Sequence, residues 1–182
     1  MRMRDKHLII VDYDPQWPTL FANEKARLQG AVGEYVETIE HIGSTAVPGL
    51  AAKPVIDIAI GVSHISIADQ HCIQRIARLG YEYYQAVEAL MPTRRYFRKS
   101  DADGMRTHQI HVWALDDPEY ERHILFRDYL RAHPEEAEAY AKLKRELAQQ
   151  LNNVRDYADA KSVFIQPCQR RAYAWKQALQ AK

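Results

Sequence analysis

The sequence predicts an α/β protein of the α+β kind: a mixed sheet in the first two thirds, followed by a layer of helices. Three observations predict it. Short runs rich in Val, Ile and Tyr alternate with amphipathic stretches up to about residue 115. A Gly-Ser turn at Gly43-Ser44 precedes the apolar run Val55-Ile56-Asp57-Ile58-Ala59-Ile60, which carries one carboxylate. From Pro118 onward the chain is dominated by Ala, Leu, Glu, Lys, Arg and Gln, the residues of long helices. Residues 1–182 are expected to form one domain, with 1–115 as the sheet core and 116–182 as a helical extension.

Leu8 to Asp12 reads as a first strand, and Pro15 with Trp17-Pro18 opens a helix running to about Gly30. Val36 to Ile42 is a second strand. Gly43 and Ser44 break it, and Ser44 or Thr45 is placed to cap a short helix. After the Asp57 strand, Ile67, Ile73, Ile76 and Leu79 mark one helical stripe ended by Gly80. Tyr81 to Tyr84 resumes a strand, and Ala86 to Thr93 is irregular. Arg94 to Ser100 and Arg106 to Ala114 flank Asp103-Gly104, a hairpin signal. Breaks at His133-Pro134 and near Asn152-Asn153 divide the remainder into three helices, the third from about Asp156 and disturbed at Pro167.

Charge and cysteine content narrow the function. Lys plus Arg number 25 and Asp plus Glu 24, so no bulk field argues for nucleic acid or an anionic membrane, and an anionic partner must be held locally. Cys72 and Cys168 fit neither a disulfide framework nor zinc spacing. Apolar runs such as Leu8 to Val11 are too short to span a bilayer, and a cytoplasmic location is expected.

The chemistry concentrates around His41 to Ile60. A glycine turn leading into a helix start forms an anion cradle, here Gly43 and Ser44, although an ordinary strand-to-helix turn has the same letters. Asp57 among branched apolar residues is costly unless it is paired or bound. Lys53 can reach back over the turn to a phosphate, or be a solvated loop lysine. The hairpin holds a basic patch divided by alternation: Arg94, Tyr96 and Arg98 on one face, Arg95, Phe97 and Lys99 on the other. Tyr140, Lys144, Tyr157 and Lys161 read either as a base-stacking, phosphate-contacting wall or as an amphipathic surface.

The run HIGSTAVPGLAAKPVIDI, with VDYDPQWPTLFANEK, RRYFRKS, HQIHVW and LFRDYLRAHPE, resembles the GrpB family, placed in the nucleotidyltransferase superfamily with its polymerase-beta-type palm. The resemblance implies a palm-type sheet, a nucleoside triphosphate partner held at Gly43-Ser44, magnesium as cofactor, and transfer of a nucleotidyl group to a small acceptor. It assigns Asp57 a catalytic and metal role and favours Arg95 and Lys99, beside Lys53, Lys144 and Lys161, as phosphate contacts. On the hairpin strand where it implies a third carboxylate the chain offers Gln109 and His111 on one face, and a site of Asp57 and His111 would bind one metal at most. Active members carry a second carboxylate two residues after the first, where this chain has Ala59. That departure leaves a second reading open, a nucleotide-binding module without chemistry. On the transferase reading, Ala59→Asp or Ala59→Glu is expected to raise metal affinity.

Overall fold

The computed structural model describes residues 8–181. Helix α1 (Trp17–Val32) starts with Pro18 in its first turn and buries Trp17, Leu28 and Val32. Strand β1 (Thr38–Ile42) runs into the three-residue turn Ser44–Ala46, and β2 (Ile56–Val62) follows. The next helical stretch is continuous but not uniform: α2 (Ile65–Ile67), a π-turn over Ala68–Cys72, then α3 (Ile73–Arg78). Gly80 at φ 90° ends it, as its position predicts. Strands β3 (Glu82–Tyr83), β4 (Arg95–Ser100) and β5 (Arg106–Ala114) complete a sheet of order β1-β2-β5-β4-β3. The β2–β5 pair is parallel and the other three pairs are antiparallel.

One sheet face is apolar. Ile56, Ile58, Ile60, Val62, Phe97, Ile110 and Val112 pack there against Trp17, Leu28, Val32 and Ile76 of the preceding helices. On the opposite face the register aligns Asp57, Gln109 and Arg98 in one row and Ala59, His111 and Tyr96 in the next. The C-terminal helices α4 (Pro118–Ala132), α5 (Pro134–Gln150), α6 (Val154–Ala160) and α7 (Ser162–Gln180) form the second layer. Helix α4 begins at Asp117, whose side chain accepts from the Glu119 N–H at 2.8 Å. The loop Val47 to Ala51 anchors this layer, packing with Leu125, Tyr129, Tyr140 and Cys168.

Three sequence expectations change here. Leu8 to Asp12 is not a strand: it makes a single bridge, Val11 to Ala52, while Leu8 and Ile10 turn to Ala148 and Tyr157. Neither Ser44 nor Thr45 caps the short turn, because Gly43 holds that position and Thr45 Oγ1 bonds His41 Nε2 at 2.9 Å and donates to the Val55 carbonyl. The third helix breaks at Lys161, not Pro167. Asn153 caps α6 through the Asp156 N–H at 2.8 Å, and Pro167 lies inside α7. No helix among the described residues is long and apolar enough to cross a membrane.

Candidate functional site

Antiparallel pairing of Ile42 with Asp57 sets the Gly43 turn directly against the aspartate. Gly43 has φ 71° and ψ −170°, a conformation open essentially to glycine alone. A Cβ there would overlap the Asp57 carboxylate. The carboxylate accepts a hydrogen bond from Gln109 Nε2 on the neighbouring strand. The sequence puts Gln109 on the strand expected to neighbour Asp57, but the parallel β2–β5 register that sets the two side by side is invisible from local pattern.

Cations converge on this point. Lys161, Lys53 and Arg106 all act electrostatically on Asp57. The ammonium groups of Lys53 and Lys161 each lie 4.8 Å from the ring centre of Tyr157, which is only 1% exposed. Lys144 is buried, donates to the Ala51 carbonyl and lies 4.5 Å from the Tyr140 ring centre. Burial pushes its ammonium group well below the usual lysine range, and its bond to Ala51 tethers α5 to the loop before β2. Lys161 is lowered in the same direction by burial, with Asp57 opposing.

Burial raises Asp57 to about 6, against the Gln109 bond and the nearby cations. The folded chain therefore holds this proton more tightly than the unfolded one, whose aspartate titrates near 3.8. Its contribution to stability is complete below that value and is lost as pH rises through about 6. Asp57→Asn is expected to be more stable than the parent at about pH 8, by on the order of 1–3 kcal/mol, with the gap closing near pH 4. Thermal melts at both pH values check this; a pH-independent gap would refute it.

Other expected site residues lie elsewhere. Arg95 and Lys99 are on the opposite face, since the apolar core claims Phe97 between them. Arg95 pairs with Asp69 at 2.5 Å and Lys99 with Glu24 at 3.0 Å. The π-turn is what brings Asp69 to Arg95. His111 shares the Asp57 face, yet its ring stacks on Trp113 at 5.2 Å and faces Arg94 Nη1 at 3.5 Å. Burial and neighbouring His123 and Arg94 keep it neutral.

The donor set does not fit a two-metal centre. Among the described residues no three His, Cys, Asp or Glu side chains come together to hold an ion. Ala59 is 0% exposed, enclosed by Ile42, Trp113, Tyr120 and Ile124. Glu40, opposite Ala59 on β1, is engaged by Arg127 Nη1 at 2.7 Å. Asp57 alone offers a carboxylate oxygen there, and Arg94 beside His111 repels a cation.

This mixed sheet, with its glycine turn against a strand aspartate and helices behind, defines a nucleotidyltransferase-like fold. A solved structure of the Cid1 poly(U) polymerase shares it at TM-score 0.52 and 14% identity, over 79% of this chain and 45% of that one. The chain belongs to the GrpB family, whose model, described as GrpB protein, matches residues 7–171. The crystal structure of the conserved protein GrpB from Enterococcus faecalis superposes with TM-score 0.83 at 36% identity, covering 93% of this chain and 99% of that one. The UPF0157 protein YqkA of Bacillus subtilis is 40% identical over 92% of this chain, which spans 48% of that relative's length.

Proposed function

We propose that this chain binds the phosphate groups of a nucleotide between the Gly43-Ser44 turn and two lysines, Lys53 in the loop before β2 and Lys161 just past the end of α6. The observation that carries this reading is the gathering of Lys53, Lys161 and Arg106 around the single carboxylate Asp57, beside a turn that lacks a Cβ. Burial strips hydration from the Lys161 ammonium, and a bound phosphate offsets that loss. Tyr157 offers one ring to both ammonium groups, each 4.8 Å from its centre. The likeness to nucleotidyltransferases supports nucleotides as the ligand class, and the enclosed Ala59 favours binding without two-metal chemistry.

A second reading, nucleotidyl transfer to a small acceptor, is favoured by Asp57 itself. Titrating near 6, it is suited to take a proton from an attacking hydroxyl near neutral pH. In this reading Asp57 serves either as that base or as the one protein carboxylate for magnesium, not both, and pyrophosphate leaves.

Calorimetric titration with ATP, CTP, GTP and UTP, with and without magnesium, tests both readings. Lys161→Gln is expected to weaken nucleotide binding about tenfold. Absence of binding to all four refutes the proposal; binding that yields no nucleotidylated product with any acceptor leaves the binding module standing and removes the transferase.

A further inference from the structure

The lysines account for one side of Asp57. Across Gln109, the same sheet face carries two arginines that this binding scheme does not use. Arg98 Nε donates to Tyr96 Oη at 3.0 Å, and the guanidinium lies 4.0 Å from the Tyr84 ring centre and 5.0 Å from that of Tyr96. Arg94 stands 5.2 Å from the Tyr96 ring centre, and its buried Nε makes no hydrogen bond among the described residues. Neither arginine has a carboxylate in ion-pair range among the described residues, whereas Arg95, Arg122 and Arg127 all do. The nearest acid on α4 that acts on Arg94, Glu119, is already engaged by Arg122 at 2.6 Å.

A half-buried guanidinium gives up hydration, and a carboxylate or other oxyanion normally offsets that loss. Here aromatic rings back the two forks instead; Arg98 Nε is taken by Tyr96 and Arg94 Nη1 faces His111, so the remaining guanidinium N–H groups are the donors for a planar or tetrahedral oxyanion. We propose that Arg94 and Arg98, backed by Tyr84 and Tyr96, form a second anion site that takes the phosphate or carboxylate of a small molecule. The site is wired to the first. Arg98 donates to Tyr96, Tyr96 Oη donates to Gln109 Oε1 at 2.5 Å, and Gln109 donates to Asp57. A second ligand at the arginines thus sits one hydrogen-bond chain from the nucleotide phosphates, where an acceptor or effector belongs. Only that role rests on the nucleotide reading; the anion site itself does not.

Amide-resolved NMR titration of the full chain with inorganic phosphate, and separately with succinate, is the test. Saturable shifts are expected at residues 94–98, weakened about tenfold in Arg98→Gln, while Lys161→Gln alters shifts at 43–57 without weakening those at 94–98. Preference for phosphate assigns a phosphomonoester, and preference for succinate a carboxylate. Should Arg98→Gln misfold, Arg98→Lys keeps the charge without the fork and is expected to bind about threefold more weakly. Shifts confined to residues 43–57, shifts indifferent to Arg98, or no shift with either anion overturn the proposal. Arginine-dependent anion binding in a chain that binds no nucleotide leaves this site standing and removes the nucleotide reading.

Discussion

Gly43→Ala is expected to lose about 3 kcal/mol of stability and, in whatever fraction remains folded, all binding at the turn. Two costs add. The backbone at φ 71° and ψ −170° is strained for any residue with a side chain. The new methyl also overlaps the Asp57 carboxylate, which cannot retreat without breaking its bond to Gln109. A cheaper escape through loop movement is blocked: Thr45, one residue past Ser44, is fixed to His41 and Val55, and Val47 and Leu50 are locked under α4 and α5. Urea unfolding of parent and variant measures the loss. A change in midpoint equivalent to less than about 1 kcal/mol would show that the turn is pliable and that Asp57 is not held against it.

The second large effect concerns Ala59→Asp, the substitution that restores a second strand carboxylate. From sequence alone it is expected to raise metal affinity. The structure reverses that expectation: the side chain would enter the cluster of Ile42, Trp113, Tyr120 and Ile124, with no donor waiting for it. Tyr120 Oη is committed to Thr38 Oγ1 at 2.6 Å, and Arg127 to Glu40, Asp128 and the His41 carbonyl. Burying an unpaired carboxylate there is expected to cost about 3–5 kcal/mol and to leave the chain largely unfolded, with no gain in magnesium binding. Circular dichroism melts and a magnesium titration decide it. A folded variant that binds magnesium would mean that α4 lifts from the sheet readily.

The sequence made the strands around the site legible because each has a local mark: Gly43 ends one, alternation defines the hairpin, and Asp103-Gly104 turns it, with Gly104 at φ 73°. Helix stops at Gly80 and His133 were legible for the same reason. Long-range pairings were not. Nothing local says that β2 lies beside β5; the resemblance implied that neighbourhood and brought Gln109 and His111 into view, but not which of them bonds Asp57. The hairpin faces were separable by alternation, but which one meets Asp57 depends on where Phe97 is buried. The family resemblance favoured Arg95 and Lys99, whereas Arg94 and Arg98 occupy that face. Lys53 was legible from its place beside the turn and Lys161 as a basic residue near Tyr157, and the ring that the two share became visible only when α6 was placed against the loop before β2.

The parallel contact between β2 and β5 also orders the assembly of the chain. Asp57 and Gln109 are 52 positions apart, and the loop between them must close before this pair gains anything. The β4–β5 hairpin is local and can form early, and so can β1–β2, but each is an open-edged ribbon until the two meet. Their docking is the step that makes the sheet continuous, and with it the site, because Asp57 arrives on one ribbon and Gln109 on the other. Folding speed and assembly of the binding site are therefore expected to depend on the same non-local pairing.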